Sequence, residues 1–243
     1  MSTVRLASTV ILVRPPLELY LARRSARSAF APDAFVFPGG TVDAQDSSPL
    51  ALARTLGLDD ERVAREFRSA ISPDARALLV AALRELFEEA GVLLARTATG
   101  EPIGAVDASA GGAPAFAQFL EERDWYADAE RLTLFSRWIT PPSEPRRYDT
   151  HFFLAAAPAD QAARADAVEM HEGLWIAPGD ALARHRAGTL HLVYPTIKHL
   201  ERLAAFDSVE AAQAFARAKP IVTVMPDDTG ERFVLPPELE NAW

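Results

Sequence analysis

The alternation of hydrophobic and polar residues predicts short strands interrupted by helices, without the regular repeat of a βαβ protein. Runs of β-branched and other apolar residues predict strands at residues 4–13, 17–21, 35–37, 132–139, 148–156 and 172–176. Helical spacing predicts helices at 50–56, 60–70, 115–125, 178–185, 195–205 and 209–218, and residues 221–225 and 232–235 are expected to pair as a terminal hairpin. This mixture predicts an α+β fold or a layered α/β/α sandwich.

One more helix is predicted between residues 72 and 91, and two sides of this helix differ in character. Ser72, Pro73 and Asp74 supply an N-cap, a proline at the first helical position and an acidic residue in the first turn. Gly91 is expected to end the helix. The apolar side consists of Leu79, Leu83, Leu86, Phe87 and Ala90.

Three glutamates, Glu85, Glu88 and Glu89, share another stripe of this helix and point away from its apolar side. Glu85 and Glu89 are four residues apart, a spacing at which like charges cost an isolated helix a few tenths of a kcal/mol. Arg84 is placed to pair with Glu88, which offsets only part of the charge. Folding alone does not account for this cluster, whereas a divalent cation such as Mg²⁺, which prefers carboxylate oxygens, does.

The composition narrows the class of protein. The chain has 243 residues, of which 49% are hydrophobic, enough for one large domain with a real core. Its net charge of -9 argues against binding to nucleic acid polymers, and no apolar run is long enough to span a bilayer. Because the sequence lacks cysteine, a signal-peptide pattern and a Ser-Lys-Leu-type address, we expect a cytoplasmic protein.

Gly39-Gly40 and the downstream run RELFEEAGV at residues 84–92 resemble the signature of the Nudix hydrolases. The run matches every specified position of the second half of that signature. The first half departs from it, since Gly40 and Arg84 lie 44 positions apart (84 − 40), about 30 more than the standard signature has. The usual loop glutamate is also missing, and Asp43 or Asp46 is expected in its neighbourhood.

An insertion of this kind is similar to that of one Nudix branch, which includes the peroxisomal coenzyme A diphosphatases of mammals. Further similarity to that branch lies at residues 21–25, 30–32, 35–40, 138–141, 145–153, 172–175 and 194–196. The resemblance implies an α/β fold, the Nudix-type α/β/α sandwich with a mixed sheet and extra C-terminal helices. It also implies a single domain over residues 1–243 with a helical insertion at about 44–71. The inserted helices are expected to shape the substrate pocket, to form a homodimer contact or to be inert.

The resemblance further implies hydrolysis of a diphosphate by attack of water on phosphorus. The ligands expected for Mg²⁺ or Mn²⁺ are the carboxylates of Glu85, Glu88 and Glu89 and the carbonyl of Gly39. Arg84 is expected to hold Glu88 in place. The general base is expected to be Glu85 or one of two carboxylates from a distant segment, Glu169 or Glu172.

Five arginines are candidates for binding the phosphates of the substrate, because guanidinium groups pair with phosphate in a bidentate manner. They are Arg23, Arg24, Arg27, Arg146 and Arg147. Each of them is equally well interpreted as part of a solvated basic loop.

The leading hypothesis is a diphosphatase whose small-molecule substrate is coenzyme A or acyl-coenzyme A. Arg24-Ser25 match part of the coenzyme A signature of another Nudix branch, but Ala29 and Asp33 replace its arginine and glycine. One alternative is a diphosphatase of ADP-ribose, NADH or a dinucleotide. Another is a non-catalytic Nudix module that binds a nucleotide as a regulator, which the retained glutamates disfavour. The simplest is a globular protein whose glutamates form only a solvated face.

Overall fold

The computed structural model describes residues 3–27, 31–67, 74–106, 115–166, 169–240 and 242–243. Its strands are β1 (Val4–Arg14), β2 (Glu18–Arg24), β3 (Phe35–Val36), β4 (Gly39–Thr41), β5 (Thr55–Leu56), β6 (Ala95–Thr97), β7 (Trp125–Asp128), β8 (Thr133–Ile139), β9 (Arg147–Ala156), β10 (Met170–Ile176), β11 (Thr223–Val224), β12 (Asp227–Asp228) and β13 (Phe233–Val234). Its α-helices are α1 (Pro49–Ala53), α2 (Asp60–Phe67), α3 (Ala75–Ala90), α4 (Phe116–Glu121), α5 (Pro178–Arg186), α6 (Tyr194–Leu203) and α7 (Val209–Ala218). Short 3-10 helices lie at Ala44–Ser47, Ala129–Arg131 and Pro237–Leu239.

An eight-stranded mixed sheet forms the centre of the molecule, with the main strand order β10-β2-β1-β9-β8-β11. The long strand β1 runs parallel to β9 from the pair Val4↔Arg147 to the pair Val13↔Ala156. Its other edge pairs antiparallel with β2 near Val13 and with β4. β1 therefore holds the short strand β4, which contains Gly39 and Gly40, against the centre of the sheet.

Helices cover both faces of this sheet, which confirms the predicted α/β/α sandwich. Because side chains alternate along a strand, Val10 and Leu12 of β1 point to one face and Ile11 and Val13 to the other. The first, called here the α3 face, packs against α3 through Leu79, Leu83 and Leu86. The second, called here the α6 face, packs against α6 and α7 through Leu200, Leu203 and Ala212.

The helix α3 ends where the sequence predicts. Gly91 has a φ of 66°, in the left-handed region that glycine adopts most easily, and its amide donates to the Phe87 carbonyl at 2.9 Å. The start of the helix differs from the prediction, because Asp74 stands at the N-cap position instead of in the first turn, so the helix begins at Ala75, two residues later than expected. The expected contributions of Ser72 and Pro73 lie outside the described residues.

The insertion contains α1 and α2, as predicted, but it also contains a strand. The predicted helix at 50–56 ends earlier, and β5 pairs in parallel with β7. The predicted helix at 115–125 also ends early, because residues 125–128 form β7 between β5 and β6 in a separate three-stranded sheet. This sheet ties the insertion to later parts of the chain. Residues 68–71 of the expected insertion lie outside the described residues, and the single-domain organisation stays a prediction.

The predicted terminal hairpin is wrong. Residues 223–224 form β11, which adds to the main sheet in parallel beside β8, where Val224 is fully buried. The hairpin partner of β13 is instead β12, and the amide of Gly230 in the turn donates to Asp228 Oδ1 at 2.8 Å. The burial of Val224 against the core is the physical reason for this pairing. None of the described helices has both the length and the apolar character that crossing a membrane requires.

Candidate active site

The two glycines of β4 allow the backbone to approach the glutamates of α3. β4 pairs with β1 through Ser8↔Gly40 and Thr9↔Gly39. A Cβ atom on Gly40 would lie 2.5 Å from Glu85 Oε1, closer than van der Waals contact allows. The Gly39 amide donates to Glu89 Oε2 at 2.7 Å. Any larger residue at Gly40 would displace the Glu85 carboxylate from this position.

The three glutamates of α3 differ in their exposure to water. Glu89 exposes only 5% of its surface, the side chain of Glu85 13% and that of Glu88 47%. Burial, which disfavours the charged form, raises the pKa of Glu89 to about 8 and that of Glu85 to about 7. Burial also raises the pKa of Glu88. Keeping these three glutamates ionised in the folded chain therefore costs free energy.

Arg84 is the cation at the centre of this cluster. Its Nη1 donates to Glu85 Oε1 at 2.7 Å and to Glu88 Oε2 at 2.9 Å. Its Nε and Nη2 donate to the two carboxylate oxygens of Asp46 at 2.7 and 3.0 Å. Burial alone would lower the pKa of Arg84, but the hydrogen bonds to Asp46 and the charge of Glu85 raise it. Arg84 therefore fixes two of the three glutamates and is itself fixed by Asp46.

Of the two aspartates expected near the position of the missing loop glutamate, Asp46 is the one that pairs with Arg84. It belongs to the 3-10 helix Ala44–Ser47 and exposes only 1% of its surface. The amide of Asp43, the other candidate, donates to Asp46 Oδ2 at 2.8 Å. The insertion thus begins by supplying the partner of Arg84. The sequence named both aspartates but did not distinguish them.

The chemistry of these side chains fits a hard divalent cation. Three carboxylates, those of Asp46, Glu85 and Glu88, pair with the Arg84 guanidinium, and the fourth, that of Glu89, accepts from the Gly39 amide. The cluster of these five residues, counting Arg84, therefore has a net charge of -3 (1 − 4) when all are ionised. Within the described parts of the chain, no three acidic or histidine side chains converge as a finished cation cage. The reason is that Glu85 and Glu88 are turned towards Arg84, and Glu89 towards the Gly39 amide. A bound cation would offset the cost of this charge through oxygen ligands.

The two neighbouring arginines of β2 point to opposite faces of the sheet. Ala22 lies in the core of the α3 face and Leu21 in that of the α6 face, so alternation places Arg24 with Ala22 and Arg23 with Leu21. The charge of Arg24 accordingly lowers the pKa of Glu89, which shows that the two side chains are close. Of this pair, the structure brings only Arg24 to the glutamates.

The two candidate bases from a distant segment, Glu169 and Glu172, also differ in whether they lie near the glutamates of α3. Glu172 is the cross-strand partner of Arg23, and their side chains meet at 3.4 Å on the α6 face. Glu169 precedes β10, and its charge raises the pKa of Glu89, so Glu169 lies near the buried glutamate. The Glu169 carbonyl accepts a hydrogen bond from the Ser25 amide at 2.9 Å, which joins this segment to the end of β2.

The three remaining candidate arginines, Arg27, Arg146 and Arg147, lie in or next to strands β2 and β9. Arg147 is the first residue of β9, where it pairs with Val4 at the far end of β1 from β2, and its Nε donates to the Thr140 carbonyl at 3.0 Å. Arg146 precedes it. The Arg27 amide donates to Ser25 Oγ at 3.2 Å in the segment after β2. Their role in binding substrate stays a prediction.

Sequence reasoning missed two residues near Glu89. Asp166 accepts hydrogen bonds from the amides of Glu169 and Met170, at 3.1 and 2.7 Å, and so fixes the segment that carries Glu169. Its position three residues before Glu169 is the spacing of a side-chain cap and was the available signal. Tyr20 is buried on the α3 face, and burial together with the charges of Asp166 and Glu89 raises its pKa to about 12.

Comparisons with known proteins agree on one family. The family model described as NUDT19 Nudix domain matches residues 2–203. The chain is 29% identical to the acyl-coenzyme A diphosphatase NUDT19 of Gallus gallus, an alignment that covers 82% of this chain and 64% of the relative. It is 28% identical to the protein of the same name from Homo sapiens, with coverage of 83% and 65%. The chain therefore spans just under two thirds of the length of these two relatives.

A solved structure supports the same assignment. The crystal structure of a NUDIX hydrolase from Alicyclobacillus acidocaldarius is similar to this chain with a TM-score of 0.74 and 31% sequence identity. The match covers 88% of this chain and 97% of the other. The sandwich and the α3 cluster are thus set in a fold that another Nudix hydrolase shares over almost its whole length.

Proposed function

The chain belongs to the NUDT19 Nudix domain family, and from that premise we propose that it cleaves the diphosphate of coenzyme A or acyl-coenzyme A with the help of Mg²⁺ or Mn²⁺. As a Nudix hydrolase, it is an enzyme that acts on diphosphate bonds. The proposed products are 3′,5′-ADP and 4′-phosphopantetheine or its acyl form. The observation that carries the proposal is the buried arrangement of Glu85 and Glu89 beside Gly39-Gly40, anchored by Arg84.

The proposed metal ligands are the carboxylates of Glu85, Glu88 and Glu89 and the carbonyl of Gly39. When bound, a divalent cation neutralises charge on the diphosphate and lowers the pKa of water. Arg84 keeps Glu85 and Glu88 oriented, and its own position is set by Asp46. The close approach of β4 to α3 limits the access of bulk water to Glu89.

The general base is proposed to be Glu169, with Glu85 as the alternative. Glu169 is exposed and close to Glu89, and it does not take part in the hydrogen bond that Glu85 accepts from Arg84. A base must be within hydrogen-bond reach of the attacking water, and an exposed carboxylate at the edge of the cluster satisfies this more easily than one paired with arginine. Glu172 is a weaker candidate, because it pairs with Arg23 on the opposite face of the sheet.

Arg24 is proposed to contact a phosphate of the substrate. It lies on the α3 face near Glu89, where a diphosphate bound at the glutamates would need a compensating cation. Arg27, which follows β2, and Arg146 and Arg147, next to and within β9, are proposed as outer contacts for the additional phosphate of coenzyme A. The acyl-coenzyme A specificity in the names of the two relatives supports this choice of substrate.

A substrate panel tests the proposal. Coenzyme A, acyl-coenzyme A, ADP-ribose, NADH and a dinucleotide are incubated with the protein and Mg²⁺ or Mn²⁺, and products are separated by chromatography. We expect coenzyme A or its acyl form to have the highest kcat/KM. Faster turnover of ADP-ribose or NADH would assign the other diphosphatase specificity.

The matched variants are Glu89→Gln and Glu172→Gln, which make the same change on opposite faces of the sheet. Loss of a buried ligand is expected to lower kcat/KM about a thousandfold, or about 4 kcal/mol of transition-state stabilisation. Glu172→Gln is expected to leave most of the activity. Full activity in Glu89→Gln would contradict the metal site.

A further inference from the structure

A small apolar cavity lies beside the buried pair of Arg84 and Asp46, between α1, α3 and α4. Its volume is about 120 Å³. The apolar residues that line it are Leu50 and Ala51 of α1, Val80 of α3, and Phe116 and Ala117 of α4. Apolar cavities of about this size bind molecules as large as benzene. Since α1 belongs to the insertion, the insertion supplies one wall of the cavity.

The cavity and the carboxylates lie on neighbouring turns of α3. Val80, Arg84 and Glu88 are spaced four residues apart and therefore lie on one stripe of the helix. At 1.5 Å per residue, Val80 and Glu88 are about 12 Å apart along the axis. Arg84 lines the cavity and also donates to Glu88. A diphosphate held at Glu88 would thus lie within about two helical turns of the cavity.

The pantetheine arm of coenzyme A has the length and polarity to cover this distance. It contains two amides and is about as long as four extended residues, or about 14 Å. Gln45 and Gln118 also line the cavity, and both are exposed. Their side chains present an amide donor and an amide acceptor, which complement the amides of the arm. The end of the arm, where an acyl group is attached, would then reach the apolar wall.

Resting on the function proposed above, we propose that this cavity receives the acyl group of an acyl-coenzyme A. Leu50 lines the cavity and exposes 38% of its surface, which an acyl chain bound there would cover. Each methylene withdrawn from water favours the bound state about fourfold. The enzyme therefore distinguishes short acyl-coenzyme A molecules from free coenzyme A through a pocket that the insertion completes.

A larger cavity, of about 280 Å³, has a different character and suits this ligand less. Its wall mixes charges of both signs, from Arg62 and Arg65 and from Glu66 and Glu130. An apolar chain would withdraw four charged side chains from water there, whereas the two charges that line the smaller cavity, Arg84 and Asp46, are already buried and hydrogen-bonded to each other. The smaller cavity is therefore assigned to the acyl group.

The test measures kcat/KM for hexanoyl-coenzyme A and for coenzyme A, and compares their ratio between variants. In the unmodified protein we expect a ratio of about ten, the effect of roughly two buried methylenes. Ala117→Leu, which fills the cavity from the half-buried side of α4, and Leu50→Ser, which removes its apolar wall, are expected to lower the ratio to about one. Met225→Ser, at an exposed apolar residue after β11, is the control and should keep the ratio.

The outcomes separate this proposal from the one on which it rests. If the unmodified protein hydrolyses neither compound, the proposed function itself is wrong. If it hydrolyses both, but the ratio is near one or stays unchanged in Leu50→Ser and Ala117→Leu, only the assignment of the cavity is overturned. Circular dichroism and thermal unfolding check that each variant is folded. Leu50→Ser changes an exposed position, so it keeps the test valid if Ala117→Leu does not fold.

Discussion

Two arginine–carboxylate pairs of this protein differ in how far they are withdrawn from water. Arg84 and Asp46, beside α3, expose 4% and 1% of their side chains and make two hydrogen bonds to each other. Arg23 and Glu172, on the α6 face, expose 42% and 53% and meet at 3.4 Å. Burying a charged group costs several kcal/mol of folding free energy, which the interaction with its partner must offset. An exposed ion pair changes the stability little. The costly pair is the one that orients the glutamates.

The difference between the two pairs shows that the fold places the charged residues of the proposed site and those of the exposed pair on opposite faces of the sheet. Arg23 and Arg24 are neighbours in sequence, yet strand alternation sends only Arg24 towards Glu89. Glu172 follows Arg23 to the α6 face through the pairing of β10 with β2. The face to which a charged residue points therefore says more about its function than its distance along the chain from the signature.

The buried pair should be the more sensitive of the two to loss of its carboxylate. In Asp46→Ala, Arg84 loses both bonds to Asp46 while it stays buried, so we expect the free energy of unfolding to fall by about 3 kcal/mol or more. Hydrolysis should fall as well, since Glu85 and Glu88 lose a fixed partner. Urea unfolding and kcat/KM measure the two effects.

Glu172→Ala is the matched control for Asp46→Ala, because it removes a carboxylate from the exposed pair. Its free energy of unfolding is expected to change by less than about 1 kcal/mol. Equal losses of stability in the two variants would contradict the assigned difference between the pairs.

The two distant glutamates extend the comparison from stability to catalysis. Glu169→Gln removes a carboxylate near Glu89 without changing its shape, so kcat is expected to fall about a hundredfold if Glu169 is the general base. Glu172→Gln, on the opposite face, should retain kcat within about twofold. Steady-state kinetics over a range of pH provide the measurement, because loss of a base also removes the acidic limb of the profile. A pH profile of Glu169→Gln that keeps this limb would assign the base to Glu85.

The parts of this molecule that the sequence predicts are those set by local periodicity. The helix α3, its end at Gly91 and the stripe of Glu85, Glu88 and Glu89 depend on residues a few positions apart, and they lie as predicted except that the helix begins after Asp74, two residues later than expected. Arg84 also pairs with Glu88 as expected. These features need no knowledge of the rest of the chain.

The features that could not be predicted depend on contacts between distant segments. The predicted helix at 115–125 ends early and Trp125 begins β7, because β5 and β6 lie on either side of this strand. β11 joins the main sheet because Val224 is buried there. The choice of Asp46 over Asp43 depends on how the inserted 3-10 helix meets α3. Strand alternation separates Arg23 from Arg24, but only the packed structure shows which face carries the site.

The raised pKa of Glu89 gives the most direct test of the cost of buried charge. In the unfolded chain a glutamate ionises near its ordinary pKa of 4.5, whereas in the folded protein the pKa is about 8. Between these values the folded state holds more protons than the unfolded state, so its stability should fall as pH rises from about 4.5 to about 8 and change little from this source above that. Thermal unfolding without divalent cations measures this decline.

Glu89→Gln cannot ionise, so its decline over the same pH range should be smaller, while Glu172→Gln should behave like the unmodified protein. Divalent cations bind the deprotonated carboxylates, and Mg²⁺ is therefore expected to raise the unfolding temperature of the unmodified protein more at pH 8 than at pH 5.5, on the order of a few degrees. In Glu89→Gln this stabilisation should be reduced at both pH values. Equal stabilisation by Mg²⁺ in Glu89→Gln and in the unmodified protein would mean that the buried carboxylate of Glu89 does not bind the cation. The difference between the buried pair Arg84–Asp46 and the exposed pair Arg23–Glu172 would then concern folding alone.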